Sequence, residues 1–235
     1  MKENMNAYKK RARVAGFIYL VVIITGMFSL AYVPRKLIDW NNSSLTFHNI
    51  NADASLFRFG IYSSVVCYVA FTFLSLALYR LLRTVNESRA KVMVILALLS
   101  VPLSFANLQY KYAALTLIGK ASFLENVSMK DLENQLMLSL HQYNDGLLLA
   151  SVFWGLWLFP LGWLVYRSGF MPRFLGALLM LGCAGYLINF SGNTLFDDYS
   201  KIGIGKYMRI LPAIAEFGTC IWLLFFGLTT RKNGQ

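Results

Sequence analysis

The sequence predicts an all-α polytopic membrane protein, a bundle of six transmembrane helices with both termini in the cytoplasm. Three observations carry that reading. First, 14% of the 235 residues are charged and 57% are hydrophobic, with a mean hydropathy of +0.52. A soluble domain carries about a quarter charged residues, and one core of this size cannot hide so much apolar surface from water. Second, six apolar runs are each about 20 residues long, the length that crosses the hydrocarbon core as a helix. Third, the basic residues concentrate in alternate links, which is how helical membrane proteins are oriented.

The spans fall near 14–33, 59–82, 92–118, 146–166, 174–195 and 210–229, and 1–235 reads as a single transmembrane domain. Continuous apolar runs must span as helices, because lipid offers no partner for backbone polar groups. The short alternating segments of a β-barrel are absent from the pattern. Ser29-Leu30-Ala31 in the first run loosely matches a signal-peptidase site. The run is long for a signal core, so a retained helix is expected.

Charge sorts by side. The N-tail, the 80–91 link, the 167–173 link and the C-tail hold 13 Lys/Arg against Glu3 and Glu87. The remaining links hold eight Lys/Arg against seven acids. The first set belongs in the cytoplasm. The overall charge of +11 is thereby read as topology, and nucleic acid is not expected as a partner.

The prolines punctuate the spans. Pro34 is expected to end the first, Pro172 to sit in the 167–173 turn and Pro212 in the first turn of the last. Pro102 and Pro160 fall mid-span and are expected to kink their helices. The link 34–58, with Asn41, Asn42, Ser43 and Ser44, has loop chemistry. Residues 129–140 place Leu132, Leu136 and Leu140 at helical spacing. They read either as a helix on the outer membrane face or as an extension of the fourth span. Arg13-Val14-Ala15-Gly16 and Arg173-Phe174-Leu175-Gly176 open two spans alike, a faint sign of duplication. Cys67, Cys183 and Cys220 lie inside apolar runs without paired spacing and read as small core fillers.

Polar residues that interrupt the runs mark the candidate site. Asn107 and Lys111 are four apart in the third span, and His141 and Asp145 four apart at the start of the fourth. Asn189 lies in the fifth, Glu216 in the sixth, and Arg58 heads the second. At about 1.5 Å of rise per residue, all of them belong to the outer half of the membrane. Arg58, Asn107, Lys111, His141, Asp145, Asn189 and Glu216 are therefore expected to line an outward-facing polar pocket. Lys111 is expected within ion-pair or one-water distance of Asp145 or Glu216, since an isolated charge at the bilayer centre costs about 2.5–3.5 kcal/mol.

Catalysis has thin support. The chain has two histidines, too few for the usual zinc hydrolase set. His141, Asp145 and Glu216 offer a one-His, two-carboxylate alternative for a harder metal, which no spacing demands. No H-E-x-x-H, G-x-S-x-G or phosphate-loop motif occurs. No metal and no cofactor is expected.

The segments FWGLWLFPLGWLVYRSGFMPRFLGALLMLGCAGYL (153–187), ARVAGFIYLVVIITGMFS (12–29), NADASLFRFG (51–60) and LPAIAEFGTCIWLLFFG (211–227) together resemble a bacterial membrane-protein family. That family is catalogued as domain of unknown function 4386. The likeness covers nearly the whole chain. It is most specific in Arg167-Ser168-Gly169, Pro172-Arg173 and Gly176, and in Glu216. It implies six helices and a bacterial cytoplasmic-membrane home, and carries no residue role with it. The leading functional reading is binding or transport of a small molecule, lipid or ion, with the lipid bilayer as surroundings. A structural or accessory membrane subunit is the second reading, and an intramembrane hydrolase the third.

Overall fold

A computed structural model describes residues 2–119 and 122–227, and every regular element among them is helical. The end of the expected sixth span, Lys120 and the basic tail with Arg231 and Lys232 lie outside the described residues. Helix α1 (Lys2–Met27) runs through a π-helical turn, Phe28–Tyr32, into α2 (Val33–Leu37). Pro34 therefore does not end the first span, which continues to Leu37. Proline removes an N–H and crowds the carbonyl four residues back. The wider turn absorbs this, with the Val33 N–H bonding the Phe28 carbonyl five residues back.

The link after it is not a loop throughout. Asn42 caps α3 (Ser43–Ala52) by accepting from the Leu45 N–H at 2.9 Å. Helix α4 (Ala54–Leu82) follows, then α5 (Glu87–Asn107) and α6 (Gln109–Ile118), which are separated at Leu108. A short 3₁₀ turn covers Ser122–Leu124. Ser128 and Asp131 exchange cap hydrogen bonds at the start of α7 (Met129–Leu156), which runs unbroken into the fourth span. Residues 129–140 are thus an extension of that span. Helix α8 (Leu158–Ser168) resumes after a break at Trp157, three residues before Pro160. Gly169 then takes a left-handed φ of 71°, and Pro172 caps α9 (Arg173–Leu195), as the turn sequence predicts. Helix α10 (Tyr199–Ile202), α11 (Ile204–Ile221) and a second π-helical turn, Trp222–Phe226, complete the chain. Pro212 is not in the first turn of α11 but eight residues past its start.

Among the described residues five helices are long and apolar enough to cross a membrane: Tyr8–Leu37, Ala54–Leu82, Glu87–Ile118, Met129–Ser168 and Arg173–Leu195. A sixth apolar helix, Ile210–Phe226, is shorter within the described residues. Large apolar side chains stand exposed on all of them, among them Phe17, Phe73, Ile95, Leu149, Leu181 and Ile214. Water would not tolerate that surface, and lipid does.

The described residues pack as two compact units, within Met1–Val21, Ala70–Val101 and Leu149–Gln235, and within Val22–Val69 and Pro102–Leu148. In the first, glycines set helix spacing. A methyl group on Gly162 would stand 2.6 Å from the Gly176 carbonyl oxygen, and the converse holds, so α8 and α9 cross backbone to backbone. On its other side α9 meets α11. Pro212 has no N–H for the Met208 carbonyl, which instead lies against Gly185, where a methyl would come within 2.6 Å of it. Gly182 makes room for Pro212 itself. In the second unit one apolar cluster joins five helices: Val33 and Leu37 of α2, Phe47 and Ile50 of α3, Phe57 and Ile61 of α4, Ala114, Leu117 and Ile118 of α6, and Leu132, Leu136 and Leu140 of α7.

Candidate functional site

The second unit holds the most confined charge in the described residues. Lys111, in the first turn of α6, is 3% exposed. Its ammonium lies 4.3 Å from the centre of the Tyr143 ring, a cation–π contact. The ion pair expected with Asp145 is not formed. Among the described residues the ion pairs are Glu87–Lys91 and Asp198–Lys201, both between exposed side chains. The reason is helical geometry. His141 and Asp145 do share one face of α7, but Tyr143 lies two residues from each, about 200° around the helix. Tyr143 continues the buried row of Leu132, Leu136 and Leu140, so His141 and Asp145 point outward and are exposed. His141 packs edge-on against the ring of Trp40 at 5.1 Å. Arg58 is exposed as well.

Asn107 is buried and clamps α7. Its Nδ2 donates to the Tyr143 carbonyl at 2.8 Å. Its Oδ1 has no hydrogen-bond donor and rests on Gly146, where an added methyl would overlap the amide. A Cα–H group is therefore what that oxygen meets. Tyr68 of α4 reaches the same place: its phenol neighbours that of Tyr143, and its ring meets Phe105 at 5.6 Å. The cluster consequently contains one cation, two phenols, the Ser64 hydroxyl beside them and one amide, with no acid among the described residues.

The first unit holds the other polar group. Glu216 sits on the inward face of α11, between the buried Ala215 and Thr219, and is itself half-buried. The phenol of the fully buried Tyr19 in α1 faces its carboxylate as a hydrogen-bonding neighbour. Tyr186 of α9, seated over Gly155, lies within electrostatic reach of both groups. No Lys or Arg pairs with Glu216 among the described residues. Asn189 is buried in the same unit, where its carbonyl and Oδ1 both accept from Asn193 and its Oδ1 also faces Gly205. It ties α9 internally and seats α11.

The structure thus brings Asn107 and Lys111 together on one side of Tyr143, and turns His141, Asp145 and Arg58 to the surface. The tyrosines were missed. Tyr143 was legible from the Leu132, Leu136, Leu140 spacing, but Tyr19, Tyr68 and Tyr186 sit in apolar runs with nothing to single them out. Among the described residues no group of three or more His, Cys, Asp or Glu side chains is placed to hold a metal.

Long apolar helices with polar side chains buried along them define a multi-span helical membrane protein. The chain belongs to the family described as Domain of unknown function (DUF4386), which it matches over residues 14–227. An uncharacterized protein of Archaeoglobus fulgidus is 38% identical over 79 residues, 34% of this chain and 44% of that protein. The match therefore spans less than half of that relative's length. No solved structure matches the chain.

Proposed function

We propose that the protein binds a small acidic amphiphile within the membrane, with the Lys111 ammonium as the partner of its carboxylate or phosphate. The observation that carries this is a lysine buried to 3% exposure with no acid beside it. A buried charge is retained at a cost of several kcal/mol unless a counter-charge meets it. The Tyr143 ring offsets part of that cost, about 2 kcal/mol at a desolvated site. A ligand acid offsets the rest. The ligand sits in a membrane read as bacterial and cytoplasmic, reached from the outer side, with both termini inside. The sorting of basic residues and the family resemblance support that placement.

The test is native mass spectrometry of the protein released from mild detergent, comparing wild type with Lys111→Met. A co-purifying acidic molecule that disappears in the variant supports the reading. Identical bound species in both proteins sinks it.

A second reading has its own observation. The amide nitrogen of Asn107 holds α7 through the Tyr143 carbonyl and its oxygen packs on Gly146, which favours a helix-joining role for that residue.

A further inference from the structure

The start of α1 carries a site that neither Lys111 nor Glu216 involves. Lys9, Lys10, Arg13, Val14 and Phe17 line an open, shallow groove of about 720 Å³. Their spacings of three, four and seven residues put them on one face of the helix. Along the axis they are ordered by chemistry: Lys9 and Lys10 come first, Arg13 roughly 5–6 Å further on, and Phe17 about 6 Å beyond that. Val14 and Phe17 are 50% and 62% exposed. None of the three cations is ion-paired among the described residues. The neighbouring Arg11 turns elsewhere, over the ring of Tyr8 at 5.7 Å.

A cationic rim leading to an exposed apolar floor is the complement of a phospholipid. The phosphate belongs at the rim and an acyl chain runs along Val14 and Phe17. Three positive charges exceed what one phosphodiester neutralises. Two phosphates in one headgroup match them better, and the open groove leaves such a headgroup unobstructed. We propose that this groove is a specific site for an anionic phospholipid, with preference for a diphosphate headgroup of the cardiolipin type.

The experiment uses full-length protein stripped of lipid in mild detergent. It is titrated with cardiolipin, phosphatidylglycerol, phosphatidylcholine or inorganic phosphate, and bound molecules are counted by native mass spectrometry. Wild type is expected to hold cardiolipin tightest and phosphatidylcholine weakest. The variant Lys9→Gln/Lys10→Gln/Arg13→Gln should lose on the order of a hundredfold in cardiolipin affinity. Arg80→Gln/Arg83→Gln, which neutralises another basic link, should lose little. Phe17→Gln should weaken the lipid while leaving the weak phosphate signal unchanged, a readout that survives if the triple variant misfolds. Equal cardiolipin binding by the triple variant and wild type overturns the proposal. So does an equal loss in the Arg80/Arg83 control, which would mean diffuse surface attraction. Displacement of cardiolipin by millimolar phosphate would make this a free-anion site and refute the lipid assignment.

Discussion

Gly146 and Asn107 show how a single side chain decides helix contact. The amide of Asn107 occupies the space a β-carbon at 146 would need. Gly146→Ala should force it away, break its bond to the Tyr143 carbonyl and destabilise the protein by about 1–3 kcal/mol, measured by thermal unfolding in detergent. Lys111→Met should do the reverse in ligand-free protein. It removes an unpaired buried cation at little cost in volume, so the unfolding temperature should rise. A fall would show that the Tyr143 contact outweighs desolvation. Glu216→Gln should change stability by less than about 1 kcal/mol, because the carboxylate has no ion pair to lose among the described residues and an amide oxygen can still accept from the Tyr19 phenol. A loss of several kcal/mol would mark it as a structural anchor. The sequence showed that His141 and Asp145 share a face. It did not show which way that face turns, because that is set by which neighbours bury Tyr143.

At the scale of elements, the spans were legible because about 20 apolar residues in a row permit little else. Helix α3 was not. Asn41, Asn42, Ser43 and Ser44 have the composition of a loop, yet Asn42 and Ser43 are a cap and a first helical residue. Cap and loop use the same side chains, and the difference lies in Phe47 and Ile50 finding an apolar surface beyond. Phe47→Ala should accordingly cost about 3 kcal/mol, read from the same unfolding measurement. An effect below half of that would mean α3 is loosely seated. Pro34 misled in a similar way. A proline reads as a stop unless a π-helical turn stands ahead of it, and no residue type in Phe28–Tyr32 announces one.

For the whole molecule, the decisive property is its skewed distribution of basic residues. If that distribution sets orientation, reporter domains fused at the two ends should both be active only in cytoplasmic form, and one fused after residue 126 only in exported form. Opposite results at the two ends would require an odd number of crossings and would remove Ile210–Phe226 from the membrane. Placing the lipid-lining stretches needed only hydropathy. Pairing them required coordinates, since the glycines that do so are interspersed among equally small alanines and serines.

The backbone contact between Gly162 and Gly176 has a consequence for biogenesis. Two helices joined by the short 169–172 reversal, and touching at a point that excludes side chains, can leave the translocon as one hairpin. Arg167 and Arg173 would then flank the bend while both arms slip sideways into lipid together.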